Sequence, residues 1–324
     1  MTDRIRWGIL GAANIGRKSV IPAMHASRNG IPAAVASRDI EKARAFATEN
    51  GIATAYGSYE DLLADPDIDA IYNPLPNHLH AEWSLKAADA GKPVLCEKPF
   101  TVTAQEARTV AEAFRSRGLL LAEAFMYRFH PQTERLQELI RSGAIGELHT
   151  ISASFTVTIP NPDTNIRYQR ETGGGSLYDL GCYPLSLMRL LAGEPLSLSA
   201  IGRLSAEGVD LRAATLLGFA NGVCGVLTCD MQSARAQHVD VRGTTGRIRL
   251  DTPFSIPKDQ PTTIETWRDG QYEAITIPPA NHYTRMVEDF ADALLMGRVL
   301  RFSAADAILQ METLEKLVML AGAG

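Results

Sequence analysis

Short apolar runs alternate with helical faces over the first third of the chain. Ile5-Arg6-Trp7-Gly8-Ile9-Leu10, residues 33–37, 68–72, 94–96 and 119–122 are near-continuous apolar stretches. Runs of this kind read as parallel strands buried on both faces. Between them, Val20, Ile21 and Met24, and then Ile40, Ala43, Phe46 and Ala47, recur at helical spacing. Gly51 is placed to end the second of these helices, Ser58 with Asp61 to start a short one, and Asn77 to cap the helix that ends near Gly91. Thr103 and Glu106 have the spacing of a capping box, whose helix would run to about Arg117 before Gly118. Strands alternating with helices predict a doubly wound parallel sheet, a Rossmann unit, over residues 1–124.

The rhythm changes after Phe125. A helix is predicted over 131–142, followed by extended runs at 149–158, 196–204, 211–219, 223–229, 239–242, 263–267 and 274–277. Asn221-Gly222 is a type I′ hairpin signal, and Arg268-Asp269-Gly270 marks a second turn. Two helices, near 282–296 and 304–320, close the chain. Residues 125–324 therefore read as an α+β domain with a large, mostly antiparallel sheet and no crossover, giving an α/β protein of two domains. A chain of 324 residues suits that division. The net charge of −5 argues against a nucleic-acid or anionic-membrane partner. No apolar run would span a bilayer. A strand beginning near Ile5 leaves no room for a leader, so a cytoplasmic protein is expected. Cys96, Cys182, Cys224 and Cys229 are scattered, which fits reduced thiols and gives no metal site.

Candidate chemistry sits at the carboxyl ends of the predicted strands, where open α/β sheets bind ligands. The first strand runs into Gly11-Ala12-Ala13-Asn14-Ile15-Gly16, a dinucleotide loop with Ala13 at the middle glycine position. The first glycine permits the tight turn, the last lets the helix pack closely, and a pyrophosphate would meet the N–H groups of the helix start. An NAD site would carry an acid at the end of the second strand. Here Ser37-Arg38 stands instead, with Asp39 next and Lys42 a turn later. A hydroxyl and two cations suit the 2′-phosphate of NADP, with NAD as the other cofactor. The alternative makes Asp39 a helix cap and Arg38 a solvated cation. Leu75-Pro76-Asn77-His78-Leu79-His80 follows the third predicted strand. Glu97-Lys98-Pro99 follows the next and puts an ammonium at the same edge. In the second half, Gly173-Gly174-Gly175-Ser176 opens a helical run that carries Asp179 and Tyr183 four residues apart. Ser176 and Asp179 have capping-box spacing, so Asp179 as a cap stays open, as does Tyr183 as a core aromatic. Pro184 is expected to kink the helix.

These stretches, in this order, resemble the Gfo/Idh/MocA family of nicotinamide-dependent oxidoreductases over nearly the whole chain. The resemblance implies a catalytic set of Lys98, Asp179 and Tyr183, with a cis bond expected at Lys98-Pro99. Tyr at the last position, and Ala124-Phe125-Met126-Tyr127-Arg128-Phe129-His130-Pro131, resemble the branch holding glucose–fructose oxidoreductase, dihydrodiol dehydrogenase and xylose dehydrogenase. On this resemblance the cofactor residues are Gly11 to Gly16, Ser37, Arg38, Lys42, Leu75, Pro76, Asn77, His80, Glu97, Lys98, Arg128 and Arg167. Tyr127, Arg167, Asp179, Tyr183 and Tyr283 are expected to contact substrate. The implied activity is NADP-dependent oxidation of a small sugar, most simply an aldose at its anomeric carbon. Dihydrodiol dehydrogenation, anhydro-ketose reduction, NAD-assisted glycoside hydrolysis and NADP sensing without catalysis are the alternatives. A homodimer or higher homo-oligomer is expected, paired through the second sheet.

Overall fold

The structure, a computed structural model, describes residues 4–322. The chain divides into two compact units. The first comprises the chain up to Met126 together with His282–Met311, and the second comprises Tyr127–Asn281 and the chain from Glu312. The first junction falls two residues beyond the expected boundary. The second corrects it, because one closing helix and part of the next fold with the first unit.

In the first unit β1 (Ile5–Leu10), β2 (Gly30–Ala36), β3 (Thr54–Tyr56), β4 (Ala70–Asn73), β5 (Val94–Cys96) and β6 (Leu121–Glu123) form one parallel sheet. Its order is β3-β2-β1-β4-β5-β6. The order reverses between β1 and β4, and ligands of such sheets bind at that reversal. The connecting helices are α1 (Ile21–Ala26), α2 (Ile40–Glu49), α3 (Tyr59–Ala64), α4 (Asn77–Asp89) and α5 (Ala104–Arg117). Thr103 and Glu106 form the expected capping box on α5, and Gly118 ends it at φ 65°. β3 was not expected: it has three residues, and its Thr54 is exposed, so it carries no apolar run. Asn77 is the first residue of α4 and Pro76 holds the cap position, since proline already has the φ that a helix entry needs.

The second unit holds α6 (Pro131–Arg141), α7 (Cys182–Ala192) and an eight-stranded sheet. Its strands are β7 (Leu148–Thr156), β8 (Ser197–Leu204), β9 (Asp210–Gly218), β10 (Cys224–Asp230), β11 (Ala236–Gly243), β12 (Gly246–Leu250), β13 (Thr262–Arg268) and β14 (Gln271–Ile277). Neighbours are antiparallel except β7 and β10, which run parallel at the centre. A crossover is therefore present where none was expected: the chain leaves β7 and passes through α7, β8 and β9 before β10. β12 was also missed. Its Arg247-Ile248-Arg249-Leu250 alternation is too short to stand out, although Ile248 and Leu250 are buried. Asn221 and Gly222 both have positive φ (57° and 74°), as a type I′ turn requires.

The closing helices are α8 (His282–Met296) and α9 (Ala304–Ala321). α8 belongs to the first unit because Phe290 packs on the fully buried Trp7 of β1, ring centroids 5.3 Å apart. Asn29, just before β2, adds a bond from its amide to Asp292 at 2.7 Å. No helix among the described residues is long and apolar enough to cross a membrane.

Candidate active site

Gly11 leaves β1 at φ 82°, and a Cβ there would lie 2.9 Å from Leu75 Cδ2. The loop is thus a tight left-handed turn pressed against the segment after β4, and only glycine serves it. Gly16 differs from expectation. A Cβ there would meet Ile21 and Tyr72 at 3.6 and 3.8 Å, ordinary contact distances, so close packing does not require glycine. Ala12 and Asn14 are exposed, Ala13 and Ile15 half-buried, and a π turn at Gly16–Val20 leads into α1. Backbone N–H groups at such a turn and helix start suit a pyrophosphate, so the residues present fit a dinucleotide.

At the end of β2, Asp39 caps α2, its carboxylate accepting from the N–H groups of Glu41 and Lys42 at 3.0 and 3.3 Å. It also pairs with the Lys42 ammonium at 3.8 Å. The capping alternative holds for Asp39. Arg38 remains exposed, with its guanidinium on the Tyr59 hydroxyl. That hydroxyl lies 3.6 Å from the position of a Gly11 Cβ, which joins Arg38 to the phosphate turn. Burial pushes the Tyr59 phenol up, and Arg38 opposes the shift. Sequence reasoning missed Tyr59, and its only signal was an aromatic beside the Ser58 cap.

Beyond β4 and β5 two buried groups tie the loops together. His80 is 1% exposed, with its ring nitrogens 2.8 Å from Pro99 O and 2.7 Å from Leu75 O. It faces inward and holds the two loops together. Burial pushes its pKa down to about 4, against the pull of the two carbonyls. Glu97 is also buried and accepts from the Tyr72 hydroxyl at 2.7 Å, and burial raises its pKa. Lys98 follows half-buried, and Lys98-Pro99 is cis. Pro76 and Asn77 are half-buried at the start of α4. Tyr283 belongs to the first unit, its hydroxyl on Ser19, and burial raises its pKa.

In the second unit the segment 173–183 is a π turn, Leu177–Gly181, running into α7. Pro184 lies inside α7 and has no N–H for the Leu180 carbonyl, so the π turn falls in the turn before it, where a proline disturbs a helix. Ser176 forms no cap bond, so the Ser176–Asp179 box does not exist. Asp179 instead pairs with Arg167, Nε to Oδ1 2.9 Å. The Asp179 charge, followed by the hydrogen bond and the nearby Tyr183, outweighs burial and raises the Arg167 pKa. Tyr183 is 7% exposed, in an aromatic cluster with Phe155, Tyr127 and Phe254. Tyr127, expected to touch substrate, is fully buried, and its hydroxyl meets Ser186 Oγ at 2.6 Å. Arg128, expected at the cofactor, is 3% exposed and donates through Nε to the same Ser186 at 2.9 Å. One α7 hydroxyl engages the two side chains inside the second unit. Among the described residues no cluster of histidine, cysteine or carboxylate could hold a metal.

Residues 5–125 match the oxidoreductase family with an NAD-binding Rossmann fold, and residues 133–249 match the GFO/IDH/MocA C-terminal domain. The chain belongs to the Gfo/Idh/MocA family. It is 40% identical to D-xylose 1-dehydrogenase (NADP(+)) 2 of Haloferax volcanii, over 96% of this chain and 95% of that one. It is 36% identical to a dTDP-3,4-didehydro-2,6-dideoxy-alpha-D-glucose 3-reductase of Streptomyces antibioticus, over 99% and 98%. Among solved structures it resembles a 3-ketoreductase from Actinomadura kijaniata in complex with NADP and TDP-benzene. There the TM-score is 0.92 at 34% identity, covering 98% and 97% of the two chains. As a Gfo/Idh/MocA protein it is an oxidoreductase, and the parallel sheet with its Gly11 turn is the nucleotide half of that family.

Proposed function

We propose that this oxidoreductase uses NADP to oxidise a small aldose at its anomeric carbon, with a pentose such as D-xylose as the representative substrate. The observation that carries the sugar is the 40% identity to a D-xylose dehydrogenase along almost the full length of both chains. Support for NADP comes from the end of β2. Asp39 is spent on capping α2, and Arg38 is exposed beside the Gly11 turn.

The nicotinamide supplies the hydride acceptor when bound. Gly11 to Gly16 with Leu75, Pro76 and Asn77 would hold the cofactor, and Ser37 and Arg38 its 2′-phosphate. Tyr183 is the proposed base for the alcohol proton. An isolated phenol, with a pKa of about 10, is a poor base near neutrality. A carboxylate beside it would make it poorer. The ion pair of Asp179 with Arg167 offsets that effect, and the guanidinium favours phenolate. Lys98 is assigned the cation that polarises the reacting oxygen. Asp179 and Arg167 together are assigned the grip on a second sugar hydroxyl.

A panel of pentoses, hexoses and diols with NADP and NAD, followed by absorbance of reduced nicotinamide, tests the reading. Turnover of D-xylose with NADP is expected, and its absence across the aldoses would overturn it. Lys98→Met and Tyr183→Phe should each remove most turnover, and the double variant should lose little beyond the worse single one. Strictly multiplicative losses would assign the residues to separate steps. One second reading has its own support, the structural likeness to a 3-ketoreductase bound to NADP and TDP-benzene. It expects reduction of a nucleotide-linked keto sugar and indifference to free pentoses.

A further inference from the structure

Asp210, at the start of β9, is 3% exposed, and among the described residues no lysine or arginine pairs with it. A buried carboxylate without a cation is costly, and an apolar or amide side chain would cost less. Apart from a bond with its own N–H, its oxygens gather donors at one helix start. Oδ2 accepts from Ser176 Oγ at 2.6 Å and from the Leu177 N–H at 2.8 Å. Oδ1 stands so close to Gly175, at φ 133°, that a Cβ on that residue would collide with it. The other face of the Ser176 hydroxyl lies 3.3 Å from Cys229 Sγ, which leaves the side chain little room to turn. All these contacts fall on the three residues that open the π turn, and Asp179 is two residues beyond Leu177.

We infer that Asp210 is a positioning residue: its carboxylate clamps the Gly175-Ser176-Leu177 helix start and so sets where Asp179 and Tyr183 stand. The clamp works as a helix cap supplied from another strand, replacing the Ser176–Asp179 box and leaving the Asp179 carboxylate to Arg167. A charged acceptor at a helix start gathers N–H and O–H donors more strongly than a neutral one. The same β9 position lies outside the aromatic cluster, so it can move the segment without touching the reacting groups. The inference rests on the dehydrogenase reading only for its catalytic consequence, because the clamp itself is a property of the second unit.

The test uses the full-length protein and the variants Asp210→Asn and Ser176→Ala. Amide hydrogen exchange is followed over residues 176–183, and kcat and KM are measured with D-xylose and NADP. Asp210→Asn should speed exchange in that segment at least about tenfold, since a hydrogen bond to a charged acceptor is lost. It should lower kcat while the KM for NADP, set in the first unit, stays the same. Ser176→Ala keeps the Leu177 bond and should shift both readouts in the same direction but less. It also carries the test if Asp210→Asn does not fold. Adding it to Asp210→Asn should change little. Wild-type exchange in both variants, or a kcat per folded molecule equal to wild type, would overturn the inference. An absence of turnover in the unmodified protein would reject D-xylose as substrate, and the exchange comparison would still decide the clamp.

Discussion

At the scale of single residues, the useful distinction is between side chains already committed to the fold and those left over. Asp39, His80, Tyr127 and Arg128 are committed, to a helix cap, two carbonyls and one α7 hydroxyl. Arg38, exposed on the Tyr59 hydroxyl, and the Asp179–Arg167 ion pair are the places to test chemistry. Arg38→Ala should weaken NADP by roughly tenfold or more while NAD is nearly unaffected, because a charged contact to phosphate is removed. Equal losses of kcat/KM for the two cofactors would show that Arg38 does not read the 2′-phosphate. Asp179→Asn should lower turnover by orders of magnitude with the melting temperature almost unchanged. Its partner Arg167 is 46% exposed, and such ion pairs contribute less than about 1 kcal/mol. A variant that melts early but keeps full activity per folded molecule would make Asp179 a structural residue.

At the scale of elements, periodicity revealed most of the fold and missed what has no period. β1, α2, α5 and the two hairpin turns were legible, because apolar runs, capping residues and Asn-Gly or Asp-Gly pairs are local signals. β3 and β12 were not, being short and half-exposed. The parallel β7–β10 pair was invisible for another reason: nothing in a strand's own sequence states which neighbour it will meet. The same limit applied to the site. Lys98, Asp179 and Tyr183 stood out through their motifs, whereas Asp210 shows no local pattern and gains meaning only when β9 is brought beside Ser176. The helix α8 shows this at larger size, since its amphipathic pattern predicts a helix and not the Trp7 surface it covers. Residues 1–126 expressed alone should therefore expose Trp7, with red-shifted fluorescence and weak cooperativity on melting. Co-expression with a peptide spanning 282–311 should shift the emission back toward the blue. A sharp melt of residues 1–126 alone would show that α8 is dispensable.

At the scale of the whole molecule, two buried titrating groups act with opposite sign in different units. Burial raises Asp210 from 3.8 to about 6, so the folded second unit holds a proton that the unfolded chain releases. Its stability should rise by about 3 kcal/mol as pH falls from above 6 to below 4. Burial lowers His80 from 6.5 to about 4, so the folded first unit refuses a proton that the unfolded chain takes up. Its stability should fall by about 3 kcal/mol between pH 6.5 and 4, with the raised Glu97 working partly against that loss. Calorimetry from pH 7.5 to 4.5 should show the second unit's transition moving upward and the first unit's downward. Asp210→Asn should flatten the upward one, and transitions that move together would contradict both assignments. The division of the chain has a further consequence on the ribosome. The first unit is finished only by α8, so the Trp7 surface of its nascent sheet waits uncovered while all of Tyr127–Asn281 is made. At ordinary rates of synthesis that interval is on the order of ten seconds. During it the apolar surface around Trp7 is a natural target for chaperones, and completion of the nucleotide half awaits the synthesis of His282–Met311.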